Sequence, residues 1–323
     1  MSLQRLPPET LSQIFDEIGT SFFREDFSRL TICKQWSKFA LPTYFKYITL
    51  SQGALRNLIA SGLTERSSSL KDSLEILEFE LKGYASNEDE TKIPLRTWRE
   101  ILNSDLVQLA TTAQQSRKLR TLRIRAQNYP YAEIFPGPKN YISLSVMQQF
   151  LSLENLTFLK LDLSTGFLHP SGEQVEGCHI CRSIAALLPT LRTLHIRMQS
   201  ICPNALKPKG RGDSLHLGVL VVNLSLLRHL PGITSAAHSK RCDALAGGLL
   251  PLKADMKKQA ERIATRMASP KIIRIITHTL PQFEIQSLDV LTGKTMVLDE
   301  DMEWDEDGET VKEVPETESE SVE

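Results

Sequence analysis

Four stretches of the chain decide its fold, and they read SLEILEFELKG (73–83), KLRTLRIRAQ (118–127), LTFLKLDLS (156–164) and LRTLHIRMQ (191–199). In each stretch, large apolar residues alternate with polar ones, which is the period of a β-strand with one buried face. The corresponding apolar positions are Leu77, Leu122, Leu159 and Leu194. The chain between successive stretches is long enough for a helical crossover, so the pattern predicts parallel strands.

Helical patterns lie between the predicted strands, for example over residues 95–109 and 180–188. Residues 253–268 form another amphipathic pattern, whose apolar side is expected to pack on a core. The Leu-x-x-Leu-x-Leu spacing resembles that of leucine-rich-repeat proteins, although intervals of about 35 to 45 residues are longer and less even than in a regular repeat. We therefore predict an α/β fold in which residues 51–298 form a leucine-rich-repeat-like body; the alternative is a compact α/β domain.

The N-terminal residues show the pattern of a small helical module. Pro7 and Pro8 suit the first turn of a helix, where a missing N–H costs nothing, and an apolar stripe at i, i+3, i+4 and i+7 follows them. A second helical pattern covers residues 24–36 and a third covers residues 39–42, before a short strand at 47–50. Three helices of this size have little core of their own, which is typical of a unit that a partner stabilises.

Two strings in this region, LPPETLSQIFDEI (6–18) and EDFSRLTICKQWSKFALPTYFKYITL (25–50), resemble the F-box family. Members of that family typically have Leu-Pro near the start, a Leu/Ile/Phe stripe in the first helix and a Cys-Lys-x-Trp string in the second. The resemblance implies that residues 1–50 bind the Skp adaptor of an SCF-type ubiquitin ligase and, through it, cullin. The residues implied in Skp-adaptor binding are Leu6, Pro7, Leu11, Ile14, Phe15, Leu30, Cys33 and Trp36.

The same resemblance implies a substrate-recognition adaptor and no catalysis, because ubiquitin transfer, which leads to protein degradation, belongs to other subunits. The stretches at 178–203 and 285–308 are similar to segments of uncharacterised fungal F-box-like proteins. We expect an unknown protein substrate to bind the body, since stacked strands and helices offer a broad, rigid surface. Two alternatives stay open: a non-degradative F-box scaffold, and an enzyme or metal-binding protein that merely has a helical N-terminus.

The acidic residues are concentrated at the end of the sequence. Of the 39 acidic and 38 basic residues, thirteen acidic residues and one lysine fall within 299–323. So dense an acidic run with little apolar surface is expected to be a disordered tail, with Trp304 as the one residue able to dock on the body. Without this tail the chain is positively charged, which favours an acidic or phosphorylated partner; the alternative is that the tail itself masks this charge within the molecule.

Other sequence features argue against a membrane protein and against a disulfide framework. The longest apolar stretch, 215–227, is too short to span a bilayer, and the first residues lack the apolar core of a signal peptide. We therefore expect the protein in the cytoplasm, the nucleus or both. Five cysteines in a chain of this length do not suggest a disulfide framework. Basic residues are not interleaved with stacking aromatics, so no nucleic acid is expected as a partner.

Motifs for catalysis, cofactors and metals are weak. Gly293-Lys294-Thr295 resembles the end of a phosphate-binding loop, but Leu288 occupies the position of the required glycine. A tight turn between two strands explains Gly293 better. Cys178-His179-Ile180-Cys181 has the spacing of a zinc knuckle, yet a structural zinc site needs four ligands. Cys202, His169 or His195 could complete it only through folding, so the sequence predicts no catalytic residue, no cofactor and no metal ligand.

Overall fold

The structure is a computed structural model that describes residues 6–84, 94–127, 140–164, 167–169, 179–210, 214–226, 237–242, 248–279, 284–299 and 302–311. The fold is mixed α/β, as predicted. The helices are Pro8–Glu25 (α1), Lys34–Lys46 (α2), Gln52–Ala60 (α3), Leu63–Arg66 (α4), Ser68–Ser73 (α5), Leu95–Gln115 (α6), Leu144–Phe150 (α7), Cys181–Leu187 (α8) and Leu249–Ala264 (α9), with short 3-10 helices at Phe27–Leu30 and Pro203–Leu206. In these described ranges, no helix combines the length and the apolar character that a bilayer crossing needs.

The strands are Tyr47–Ser51 (β1), Ile76–Lys82 (β2), Thr121–Gln127 (β3), Asn140–Ser143 (β4), Phe158–Leu163 (β5), Phe167–His169 (β6), Thr193–Met198 (β7), Ser200–Ile201 (β8), Val219–Asn223 (β9), Lys240–Arg241 (β10), Ile272–His278 (β11), Ile285–Asp289 (β12), Thr295–Leu298 (β13) and Glu309–Thr310 (β14). Ten of them form one sheet in the order β1-β2-β3-β5-β7-β9-β11-β12-β13-β14. The pairs from β1 to β11 are parallel, and the pairs from β11 to β14 are antiparallel. Gly293, with φ 74°, makes the predicted turn between β12 and β13.

The four strands read from the sequence are β2, β3, β5 and β7, and they are neighbours in the sheet. Leu77 pairs with Leu122, Leu122 with Leu159, and Leu159 with Leu194. All four leucines are completely buried. The matching apolar positions of the four stretches therefore form one continuous row across the sheet.

The helices cover the face of the sheet that carries this row. Each parallel strand lies beside the preceding one in the sheet, so every crossover steps the same way. Crossovers between parallel strands are almost always right-handed, and a constant step with a constant hand puts the connecting helices on one face. Buried residues of α6, α7, α8 and α9 share one core with the leucine row; among them are Leu106, Met147, Ile184 and Met256. The other face of the sheet is left to the polar residues of the alternation.

Two central strands, β9 and β11, were not recognised in the sequence because each has buried apolar residues on both faces of the sheet. Leu220 and Val222 point into the core under the helices, whereas Val221 and Ile276 are buried on the opposite face against Leu298 and Trp304. A strand buried on both faces is a continuous apolar run and does not alternate. The strand predicted at 47–50 is also part of the sheet: β1 is its edge strand, so the sheet begins within the predicted 1–50 module.

The helical boundaries in the N-terminal module differ from those predicted. The first helix, α1, continues to Glu25 but breaks at Gly19, whose φ of 76° belongs to the left-handed region. The second predicted helix is only the 3-10 helix Phe27–Leu30, and the residues after it join the third in one helix, α2. That helix begins where the Trp36 N–H donates to Cys33 Sγ (3.4 Å). It passes through Pro42, which has no N–H to donate to the Lys38 carbonyl one turn earlier. Because Lys38 is exposed, water can bond to that carbonyl instead.

The acidic tail also differs from its prediction as a wholly disordered segment. Residues 302–311, called the strap below, lie against the polar face of the sheet, and β14 within the strap pairs with β13. Trp304 is only 5% exposed. The burial of one indole and the pairing of acidic with basic side chains offset the ordering of the backbone. Residues 312–323 lie outside the described part of the chain.

We expect Leu159→Ala to lower the free energy of unfolding by about 3 kcal/mol, because the substitution leaves a cavity in the middle of the leucine row. Leu250→Ala is the matched control, since Leu250 is 77% exposed on α9, and it should change the value by less than about 0.5 kcal/mol. Urea denaturation followed by circular dichroism measures both. Similar losses in the two variants would show that the row does not carry the stability assigned to it.

Candidate functional site

The polar face of the sheet has a ladder of charged side chains that comes from the polar positions of the alternation. Because the strands are in register, these residues form rows of neighbours. They are Glu78 and Glu80 on β2, Arg123 and Arg125 on β3, Lys160 and Asp162 on β5, His195 and Arg197 on β7, and Arg274 on β11. We call this set the charged face.

A buried ion pair lies at the centre of the charged face. Arg197 donates from Nε to Asp162 Oδ1 (2.8 Å) and from Nη2 to Oδ2 (2.5 Å), and both residues are 4% exposed. Burial alone raises the pKa of Asp162, but the hydrogen bonds and charge of Arg197 outweigh it and hold this pKa below its ordinary value. Arg125 adds a longer contact, 3.8 Å from Asp162. The carboxylate of Asp162 is therefore ionised and neutralised within the protein.

The strap covers the part of the charged face that contains Lys160, Arg197 and Arg274. Trp304 lies over two cations, with its ring centroid 5.2 Å from Lys160 Nζ and 4.7 Å from the Arg197 guanidinium carbon. Lys160 Nζ is also 2.5 Å from Glu303 Oε2. Arg274 bonds to Asp307 and to the Glu306 carbonyl oxygen. An acidic segment with an aromatic anchor therefore occupies a basic surface.

His195 is buried below the strap, between the rings of Phe158 and Trp304. Within the described residues, neither of its ring nitrogens has a hydrogen-bond partner, although Nε2 is 3.7 Å from a carboxylate oxygen of Asp305. Burial lowers the pKa of His195 to about 4. The negative charge of Asp305 raises this pKa, and the positive charge of Lys160 lowers it further. The imidazole is therefore neutral at neutral pH.

A cleft of about 290 Å³ remains open beside the strap. Its walls come from β2, β3 and β5 and from strap residues 302–304. Arg123 and Arg125 line it with side chains that are each 43% exposed. Glu78 faces Arg123 at 3.6 Å. The cleft combines accessible guanidinium groups with an acidic edge, which suits the binding of a charged segment of another protein.

The residues implied in Skp-adaptor binding differ in accessibility. Leu11, Phe15 and Leu30 are buried in the core of the module itself, together with Phe23 and Ala40. Pro7 is exposed, and the half-buried members are Leu6, Ile14, Cys33 and Trp36. Trp36 packs edge-on against Phe15, with ring centroids 4.5 Å apart.

Among the described residues of the module, the two most accessible large apolar side chains were not in the predicted set. Phe27 is 60% exposed and Ile32 is 63% exposed. Both follow α1 in the segment that contains the short 3-10 helix. Periodicity by itself could not find them, because it cannot say which apolar side chains point outward.

The cysteine and histidine residues come together differently from the zinc-knuckle pattern. Cys178 and the side chain of His169 lie outside the described part of the chain, and His195 is on the charged face. His179, Cys181, Cys202 and Cys242 form one cluster on the helical side. Hydrogen bonds with Cys181 and Cys242 lower the pKa of Cys202, whereas hydrogen bonds and burial raise the pKa of Cys242. Cys242 could not be found from the sequence, because no spacing rule connects it to the other three.

The burial of His195 predicts a specific pH dependence of stability. As the pH falls from about 7.5 to about 5, the unfolded histidine, with an ordinary pKa of about 6.5, takes up a proton that the folded protein does not. The unfolded state then binds more protons, so the free energy of unfolding decreases. The wild-type protein should lose on the order of 2 kcal/mol more than His195→Gln over this range, as measured by urea denaturation at both pH values.

The control for this measurement is His216→Gln, which removes an exposed imidazole. That variant should keep the pH dependence of the wild type. The carboxyl groups of Asp162 and Glu303, whose pKa values are lowered in the folded state, act at lower pH, where their stabilising contribution is lost as they protonate. Equal slopes for the wild type and His195→Gln would contradict the buried neutral histidine.

A scan against protein-family models and a search of curated proteins found no match to this chain. Three features of the described residues bear on function: the N-terminal helical module with its exposed apolar side chains, the charged face with its strap, and the cluster of one histidine and three cysteines.

Proposed function

We propose that the chain is a substrate-recognition adaptor of an SCF-type ubiquitin ligase. In this proposal the N-terminal module binds the Skp adaptor, and through it cullin, while the charged face binds a protein substrate. The single observation that carries the proposal is the ordered F-box-like string at the N-terminus, from Leu6-Pro7 to Cys33-Lys34-x-Trp36. No catalytic role is assigned to the chain itself.

The exposed apolar residues of the module support a docking surface there. Phe27 and Ile32 are both more than half exposed, and burying such side chains in a partner gives roughly 1.5–3 kcal/mol each. Pro7 is accessible at the start of α1, and Ile14 and Trp36 are half-buried. Leu11, Phe15 and Leu30 then form the core that holds this surface together.

The charged face supports a separate surface for the substrate. In this proposal the successive parallel strands, with helices on one face, act as a leucine-rich-repeat-like body that presents its other face as a rigid surface. The strap indicates which chemistry that surface accepts, because its occupant is acidic and anchored by an indole over Lys160 and Arg197. The substrate segment proposed here is therefore acidic and contains an aromatic residue.

We expect the Skp adaptor to bind the purified chain and to bind the Pro7→Ala/Ile32→Asp variant at least about 30-fold more weakly, because the loss of apolar anchors costs about 2 kcal/mol or more. Isothermal titration calorimetry with recombinant Skp adaptor measures this affinity. Both substituted residues are exposed or nearly so, so the fold should be retained.

The matched control is Leu250→Asp, which changes an apolar residue on α9 of the body that is even more exposed than Ile32. It should bind the Skp adaptor with wild-type affinity. The proposal is wrong if the wild-type chain does not bind the adaptor or if the module variant binds it as well as the control. If the chain co-purifies from cells with the Skp adaptor but without cullin, that result favours the alternative, a non-degradative F-box scaffold.

The ability of the charged face to bind an acidic segment can be tested with a peptide that has the sequence of the strap. Trp304→Ala should loosen the strap, because Trp304 is its buried anchor. A fluorescent peptide of residues 299–311 should then bind this variant at least about tenfold more tightly than it binds the wild type, a difference of about 1.4 kcal/mol. Fluorescence anisotropy measures the affinity, and added salt should weaken it.

Two controls make this measurement specific. Adding Lys160→Glu to the Trp304→Ala variant should abolish the gain, because Lys160 pairs with both Glu303 and the indole. Adding Lys258→Glu, an exposed lysine on α9, should not. Equal peptide affinity for the wild type and Trp304→Ala, or an equal effect of the two charge reversals, would count against the charged face as a binding surface.

A further inference from the structure

One histidine and three cysteines meet on the helical side of the sheet, away from the charged face. His179 precedes α8, and Cys181 is the first residue of that helix. Cys202 directly follows β8, and Cys242 directly follows β10. Because β8 and β10 pair in parallel, with Ile201 opposite Arg241, the cysteines that follow them come next to each other.

The distances between the four side chains are those of ligands around one ion. Cys181 Sγ and Cys242 Sγ are 3.7 Å apart. Cys202 Sγ lies 3.8 Å from His179 Nδ1 and 3.9 Å from Nε2. Zinc–sulfur bonds of about 2.3 Å and zinc–nitrogen bonds of about 2.0–2.1 Å place tetrahedral ligand atoms about 3.6–3.8 Å apart.

The same distances argue against a disulfide as the reason for the cluster. A disulfide requires sulfur atoms about 2.05 Å apart, and all three cysteines are free. The ligand atoms of the four residues all lie within 4.8 Å of one another. All four atoms therefore surround one common centre. Cys181 and Cys202 are almost completely buried, whereas His179 and Cys242 are half-buried.

We propose that His179, Cys181, Cys202 and Cys242 bind a structural Zn²⁺ ion. Three thiolates and an imidazole form a soft donor set that selects zinc over magnesium or calcium. Four protein ligands complete a tetrahedral shell and leave no open position, so the ion is structural and not catalytic. Binding requires deprotonated thiols and therefore releases protons to the solvent.

The consequence of zinc binding is a crosslink between distant parts of the chain. Cys181 and Cys242 are 61 positions apart in sequence, and His179 and Cys202 are 23 apart. The ion connects α8 to the ends of β8 and β10, next to the 3-10 helix Pro203–Leu206 that packs on α9 through the Gln259–Leu206 hydrogen bond (2.9 Å). Because such a site does not exist in the unfolded chain, the free energy of zinc binding adds to the stability of the fold.

The test is the metal content of the full-length chain, purified under reducing conditions without chelators. Mass spectrometry of the metals should find one zinc ion per chain. Cobalt added to chelator-treated protein should give the visible absorption of a tetrahedral cobalt–thiolate site. Cys181→Ser, Cys202→Ser, Cys242→Ser and His179→Ala should each reduce the zinc content to near zero, because each removes one of the four ligands.

Cys33→Ser is the matched control, since Cys33 lies in the N-terminal module and is not one of the four proposed ligands, and it should keep one zinc ion per chain. Thiol titration of the wild type gives a readout that does not depend on whether the variants fold: a zinc chelator should expose three additional reactive thiols and lower the melting temperature. The proposal is overturned if the reduced wild-type chain holds no zinc and binds no cobalt. It is also overturned if the thiols are recovered as a disulfide, or if the variants keep as much zinc as Cys33→Ser.

Discussion

The apolar layer between the sheet and its helices is the constraint on which the rest of the structure depends. A shift of one residue in any strand would turn its leucines towards the charged face and its charged residues into the core. The row from Leu77 to Leu194 therefore determines the register of four strands at once. The charged face, the cleft and the seat of the strap all follow from that register.

On the opposite face of the sheet, the buried charged side chains are neutralised by ion pairs. An unpaired ion at the depth of Asp162 would be strongly destabilising, and the two-bond contact with Arg197 removes that cost without adding much net stability. Lys160 and Arg274 on the same face are partly neutralised by the strap. In the proposed function, an acidic segment of the substrate would take the place of the strap on this face. This exchange would connect the strap to substrate recognition.

Two regions of the molecule have stabilising contacts in addition to those of the central core. The N-terminal module has a small core around Phe15 and Phe23, which meets the main core through Leu41 and Tyr44. Segments on the helical side are short around α8 and β10, and the proposed zinc ion would crosslink them where little regular secondary structure does so. In the two proposals, each region gains stability from a bound partner or metal, as small structural units commonly do.

The sequence by itself determined the elements whose signal is local. Alternation revealed β2, β3, β5 and β7, the amphipathic patterns indicated α6, α8 and α9, and the N-terminal string indicated a helical module. Whether that module is an F-box stays a prediction. Tertiary structure decided the rest: apolar residues of β9 and β11 are buried on both faces of the sheet because the strap covers one of them, and α2 continues through Pro42. Trp304 docks because basic residues from separate strands meet beneath it, and Cys242 joins three residues far away in sequence. Periodicity records which side of one element is buried, whereas these features depend on what a distant part of the chain places against it.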